Sequence, residues 1–137
     1  MKNKILKLNV KTCLLFLFIG TVALGFTSAK YSLVGKWTIY DASGTSIGEF
    51  VDLKADNTYT VSLPDGAIGE RGSYLFKDPV FSIKNIKDVC GKDYWGKYNL
   101  TFVGADSIHF TLIEDSCSAR RMDIVGHNPG LRRVKSK

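Results

Sequence analysis

Two cysteines, Cys90 and Cys117, have the plainest chemistry in this 137-residue chain. No Cys-x-x-Cys or His-x-His spacing accompanies them, and His109 and His127 stand alone and far apart, so the pattern does not build a metal site. It builds no nucleophile either, since the chain has neither a Gly-x-Ser-x-Gly elbow nor a phosphate-cradling glycine loop. Glu114 and Asp115 are adjacent at the end of a strand-like run, where neighbouring side chains point to opposite faces. That is a poor placement for an acid–base pair. His109 falls on the polar register of its run and is predicted to face solvent. The residues thus read as those of a protein that is not an enzyme and uses no metal or cofactor. What remains for the two thiols is each other.

Whether they pair depends on the compartment. Lys2, Lys4, Lys7 and Lys11 precede an apolar run over residues 13–26, and Thr27, Ser28 and Ala29 supply small residues after it. This predicts a signal peptide over 1–29 and a mature domain over 30–137, periplasmic or secreted, with no stable membrane span after cleavage. An uncleaved anchor is the competing reading, and the shortness of the apolar run argues against it. Cys13 opens the run rather than following it, which disfavours lipidation. Cleavage leaves roughly 108 residues, the size of one domain. It also removes four of the 19 basic residues and none of the 13 acidic ones, so the net charge of +6 falls to about +2. The apparent basicity is mostly targeting, and no nucleic-acid partner is expected. Arg132, Arg133, Lys135 and Lys137 form a basic C-terminal cluster, read as a solvated tail in preference to a polyanion site. Two cysteines in an exported chain read as one disulfide, worth about 3.5 kcal/mol for a loop of this length.

The elements that must bring Cys90 to Cys117 are strands. No amphipathic helix of useful length and no internal repeat is present, and alternating runs recur over 36–41, 47–54, 58–63, 71–76, 80–84, 97–103, 107–113 and 131–134. Turn residues separate them, among them Asp56-Asn57, Pro64-Asp65-Gly66, Asp78-Pro79 and Gly104-Ala105-Asp106. Eight strands is a natural closing number, so the expected fold is all-β, a single eight-stranded up-and-down antiparallel barrel. Residues 115–126 are ambiguous between a helical crossover and a ninth strand. The crossover is preferred because Ser116 or Ser118 can cap a short turn running through Met122.

Alternate connections of a meander lie at one end. The second, fourth and sixth connections are tight; the loops over 42–46, 64–70, 85–96 and 114–126 are longer and fall together at the other end. Both cysteines lie in that second set. The expected shape is a cup, sealed at one mouth and decorated at the other.

On these residues the chain resembles the calycin superfamily, and within it the small bacterial lipocalin-like proteins. The likeness rests on Gly35-Lys36-Trp37, which matches the lipocalin Gly-x-Trp; on Asp56-Asn57-Thr58-Tyr59; and on Cys117, Arg120 and Arg121 before Gly126 and Leu131-Arg132-Arg133. It spans residues 33–134. The resemblance implies that Gly35 and Trp37 are structural, with Arg132 or Arg133 lying over the indole at the closed end, a cation–π contact of about 0.5–2 kcal/mol. The chain is shorter than typical lipocalins and lacks their long C-terminal helix.

Alternation predicts the inward face: Trp37, Ile39, Tyr59, Val61, Leu63, Tyr74, Phe76, Phe81, Ile83, Tyr98, Leu100, Phe102, Ile108, Phe110 and Leu112. Phe50 and Val51 break the alternation, so one of them is expected to mark a bulge or bend. Seven of the inward residues are Tyr or Phe, enough either to fill a small barrel or to line a pocket. The favoured function is an exported barrel that binds a small apolar or amphipathic ligand at its open mouth. Leu63, Arg71, Ile83, Tyr94, Trp95, Tyr98 and Leu112 are the ligand-binding candidates. Arg71, Arg120 and Arg121 would face an acidic ligand group, or else pair with Glu70, Asp115 or Asp123. The alternative is an envelope interaction or inhibitor protein with a filled barrel, its protein partner meeting the Tyr94-Trp95 loop; those rings would otherwise cap the cup or plug it from above.

Overall fold

The computed structural model describes residues 31–86, 90, 93–127 and 130–135. The expected signal peptide lies outside the described residues, as does Lys137. Eight strands form a closed antiparallel meander: β1 (Gly35–Tyr40), β2 (Ser46–Leu53), β3 (Thr58–Ser62), β4 (Ile68–Lys77), β5 (Val80–Asn85), β6 (Gly96–Phe102), β7 (Ser107–Glu114) and β8 (Gly130–Arg133). Each strand pairs with its neighbour in sequence, and β1 pairs with β8 to shut the barrel. Between β7 and β8 the chain makes a short helix, α1 (Ser118–Arg121), and a π-helical turn (Met122–His127). Residue 117 caps that helix: the Cys117 sulfur accepts from the Arg120 N–H, where serine caps were expected.

The alternation in the sequence becomes the inside and outside of the barrel. Trp37, Ile39, Tyr59, Tyr74, Phe81, Ile83, Tyr98, Leu100, Ile108 and Phe110 are buried in one cluster with Leu33, Leu53 and Leu131. Leu112 departs from this pattern and is exposed. It is the last residue before an irregularity in β7: Tyr98 faces Leu112 but Lys97 faces Glu114, so Ile113 is an extra residue. Past that bulge the phase is inverted, and Asp115 rather than Glu114 turns inward.

Other irregularities also sit away from their expected places. Phe50 and Val51 pair regularly with Thr38 and Trp37; Phe50 lies outside beneath the Lys36 ammonium, and the register shift falls before them, around Gly48. Gly48 takes φ +80°, which a side chain would strain. Residues 68–70, expected in a loop, extend β4, with Gly69 as the extra residue opposite Val61 and Ser62.

Residues 31–34 pack across the tight-turn end. The Trp37 indole N–H donates to the Leu33 carbonyl at 2.8 Å, and Tyr31 lies against Phe102. Arg133 covers this base: its guanidinium carbon sits 4.1 Å from the Trp37 ring centroid, and it donates to the carbonyls of Val34 and Ser32. Arg132 stacks on Tyr40 instead. Of the supposed basic tail, Arg132 and Arg133 are thus strand residues, and Lys135 pairs with Asp106 at the surface. Arg133→Ala removes the ring contact and both carbonyl contacts. It is expected to lower unfolding free energy by about 2 kcal/mol, read by urea denaturation, whereas Lys135→Ala should change it by less than about 0.5 kcal/mol.

Candidate functional site

The other end of the barrel is open to a cavity of about 310 Å³. Its wall is apolar: Ile39, Ile47, Val51, Leu53, Val61, Phe81, Ile83, Phe110 and Leu131 face into it, and Ile124 of the π-helical turn lies over it. The aromatic side chains thus leave the barrel unfilled. An apolar cavity of about 150 Å³ is known to take up benzene, so this one suits a molecule on the order of a dozen heavy atoms.

Polar groups are concentrated among a few lining residues: Glu49, Tyr59, Glu70, Asn85, Arg120 and Asp123. Arg120 is delivered by α1 and is buried, with a relative exposure of 4%. Its fork closes on Asp115, Nε donating to Oδ2 at 2.7 Å and Nη2 to Oδ1 at 2.8 Å. The Tyr98 hydroxyl donates to the same carboxylate, and the Cys117 N–H donates to it at 2.8 Å. Burial alone would raise the Asp115 pKa, but these donors, Arg120 foremost, hold it below the ordinary carboxylate value. Burial and the adjacent Asp115 push the Tyr98 phenol well up, so it stays a donor. Nη1 of Arg120 reaches the Asn85 side-chain oxygen at 3.3 Å, which also accepts from the Tyr59 hydroxyl at 3.1 Å.

Two glycines make room for this network. A Cβ on Gly96 would stand 2.2 Å from Asp115 Oδ2, so the pair occupies the space that β6 leaves there. A Cβ on Gly72 would meet the Lys84 carbonyl and the Tyr59 ring, so Tyr59 reaches Asn85 only by lying across bare backbone. Among the described residues Glu70, two residues before Gly72, has no comparable ion-pair partner. Burial first, and then the charge of Asp123, raise its pKa against the opposing pull of the Tyr59 hydroxyl and of Arg120.

The disulfide links Cys90 to Cys117, with Cα atoms 5.2 Å apart, and ties the β5–β6 loop to the start of α1. Of the seven residues singled out from sequence, Ile83 lines the cavity. Tyr98 is fully buried beside it, with its hydroxyl on Asp115. Leu63 packs over Gly69 at the rim, Arg71 and Leu112 are exposed, and Tyr94 is 59% exposed. Trp95 lies against the Lys84 ammonium, 5.0 Å from the ring centroid, on the outward register of β5. Arg120 takes the ion-pair alternative with Asp115, and Arg121 donates to the Asp115 carbonyl at 3.0 Å. Sequence reasoning missed Glu49, Glu70 and Asn85 as lining residues. The signal for Glu49 was its two-residue spacing from Val51 and Leu53.

Among the described residues no helix is long and apolar enough to cross a membrane, and no group of three or more His, Cys, Asp or Glu side chains is placed to hold a metal ion. No protein-family model and no curated protein matches the chain. Among solved structures, the chain is similar in fold to a lipocalin-like protein from Bacteroides uniformis, with a TM-score of 0.46 and 19% sequence identity over 74% of this chain and 98% of that one.

Proposed function

We propose that this chain is an exported binding protein whose barrel takes up one small apolar or amphipathic molecule through its open mouth. The observation that carries this reading is the cavity, about 310 Å³ of space walled by aliphatic and aromatic side chains with a few polar groups among them. A disulfide between Cys90 and Cys117 fits an oxidising compartment and supports the periplasm or the exterior as the place of action. Among the described residues no Ser, Cys or His lines the cavity, which supports carriage over catalysis.

Val61 provides the test. It faces the cavity from the middle of the sheet, and Val61→Phe puts a ring into the space without altering the strand pattern. In a thermal-shift panel of compact apolar molecules, the wild-type protein should gain several degrees with at least one, because a ligand at a hundred times its Kd adds about 2.7 kcal/mol. The Val61→Phe variant, folded by circular dichroism, should gain nothing from the same compound. The second reading is a protein partner at the disulfide-pinned loop, favoured by the exposure of Tyr94. A melting temperature that no small molecule moves would turn the choice toward it.

A further inference from the structure

The cavity makes the site, and its charged groups set the sign of what enters. Among the described residues four charged side chains line it: Glu49 from β2, Glu70 from β4, and Arg120 and Asp123 from the crossover. Arg120 is the one cation among them, and its charge is already answered. Two of its nitrogens are spent on Asp115, which does not line the cavity, and the third reaches Asn85. Among the described lining residues an anionic ligand would therefore find no free guanidinium, and it would face three carboxylates. Glu70 and Asp123 line the same space and repel one another; Glu70 is half-buried and, among the described residues, has no salt-bridge partner, with only the Tyr59 hydroxyl and the more distant Arg120 charge favouring its ionised form.

We infer that the ligand is an organic cation, a compact apolar body bearing one ammonium or amidinium group that is held by the carboxylates of Glu49, Glu70 and Asp123. The inference rests on the ligand-binding reading above and names the class of molecule for that same cavity. A cation placed there would offset the repulsion between Glu70 and Asp123, while the remainder of the molecule displaces water from the Val61, Phe81 and Phe110 wall. The carboxylates are not grouped as a metal site among the described residues, and the space exceeds what one bare ion fills. Both points favour an organic cation over an inorganic one.

Three compounds of similar shape separate the alternatives: 2-phenylethylamine, protonated at pH 7; 2-phenylethanol, neutral; and 3-phenylpropanoate, anionic. Titration calorimetry on the disulfide-bonded protein should give the amine a Kd at least about tenfold below that of the alcohol, a difference of about 1.4 kcal/mol, with the carboxylate weakest. In E70Q/D123N the ratio of alcohol Kd to amine Kd should fall to near one. The single variant E49Q, on a different strand, should narrow it as well, and it supplies the readout if the double variant does not fold. Equal or tighter binding of the alcohol or the carboxylate overturns the inference and leaves the cavity reading standing. Absence of binding by all three overturns both.

Discussion

Asp115→Ala is expected to lower the unfolding free energy by about 3–5 kcal/mol at neutral pH, because it strands a buried guanidinium. The Asp115 side chain is fully inaccessible, and among the described residues Arg120 has no other carboxylate within salt-bridge distance. Truncation also leaves the Tyr98 hydroxyl and the Cys117 N–H without their acceptor. An internal comparison is provided one residue away. Glu114 pairs with Lys97 at 3.2 Å, but the two side chains are 73% and 49% exposed, so Glu114→Ala should cost less than about 1 kcal/mol. Urea denaturation of both variants checks the contrast, and similar midpoints would remove the case for a buried pair. The pH dependence has a definite sign. Folding lowers the Asp115 pKa from its ordinary 3.8, so the stabilisation is complete above that value and is lost as pH falls through the folded value. The gap between wild type and Asp115→Ala should therefore narrow on acidification below about pH 4.

Gly72→Ala is expected to cost about 3 kcal/mol or more for a different reason. The added carbon would stand 2.1 Å from the Lys84 carbonyl oxygen and 2.6 Å from Tyr59 Cε1. The first of these is backbone in the paired strand, so it yields only if β4 and β5 part. For a domain of this size the melting temperature should fall by more than about 10 °C. Gly66→Ala is the matched comparison: Gly66 has φ +83° and nothing within 4 Å, so only backbone strain of about 1 kcal/mol is at stake. A Gly72→Ala protein that melts no lower than Gly66→Ala would show that Tyr59 and the two strands repack without penalty.

Strand positions were legible because a half-buried sheet writes itself as alternation, and from Trp37 to Phe110 the inward register follows that pattern. What escaped were places where the backbone changes phase. Ile113 is one extra residue in β7; nothing in Thr111-Leu112-Ile113-Glu114 marks it, since both Leu112 and Ile113 are as apolar as a core residue. That slip put Asp115, in place of Glu114, on the inward side. Glu70 escaped for a related reason: Pro64-Asp65-Gly66 announces a turn, and the reading carried the loop through Glu70, although Ile68 already belongs to β4. The Gly72 and Gly96 clearances depend on partners far along the chain, Tyr59 and Asp115, and composition cannot reveal such a fit. The disulfide was readable because meander topology places alternate loops together without needing side-chain detail.

The seam between β1 and β8 has a consequence for assembly. Among the described residues four residue pairs, from Trp37–Arg133 to Tyr40–Gly130, and one further bond from the Val134 N–H to the Lys36 carbonyl join the two ends of the sheet. Once they are made, the barrel offers no unpaired strand edge onto which another chain could add by main-chain hydrogen bonding. A partner must then recognise side chains or loops. Before they are made, nearly the whole domain separates the strands that must meet, so this pairing is costly in chain entropy and both ends are sticky while it is pending. Exchange of β8 between copies is the assembly error to which such a short closure is most exposed.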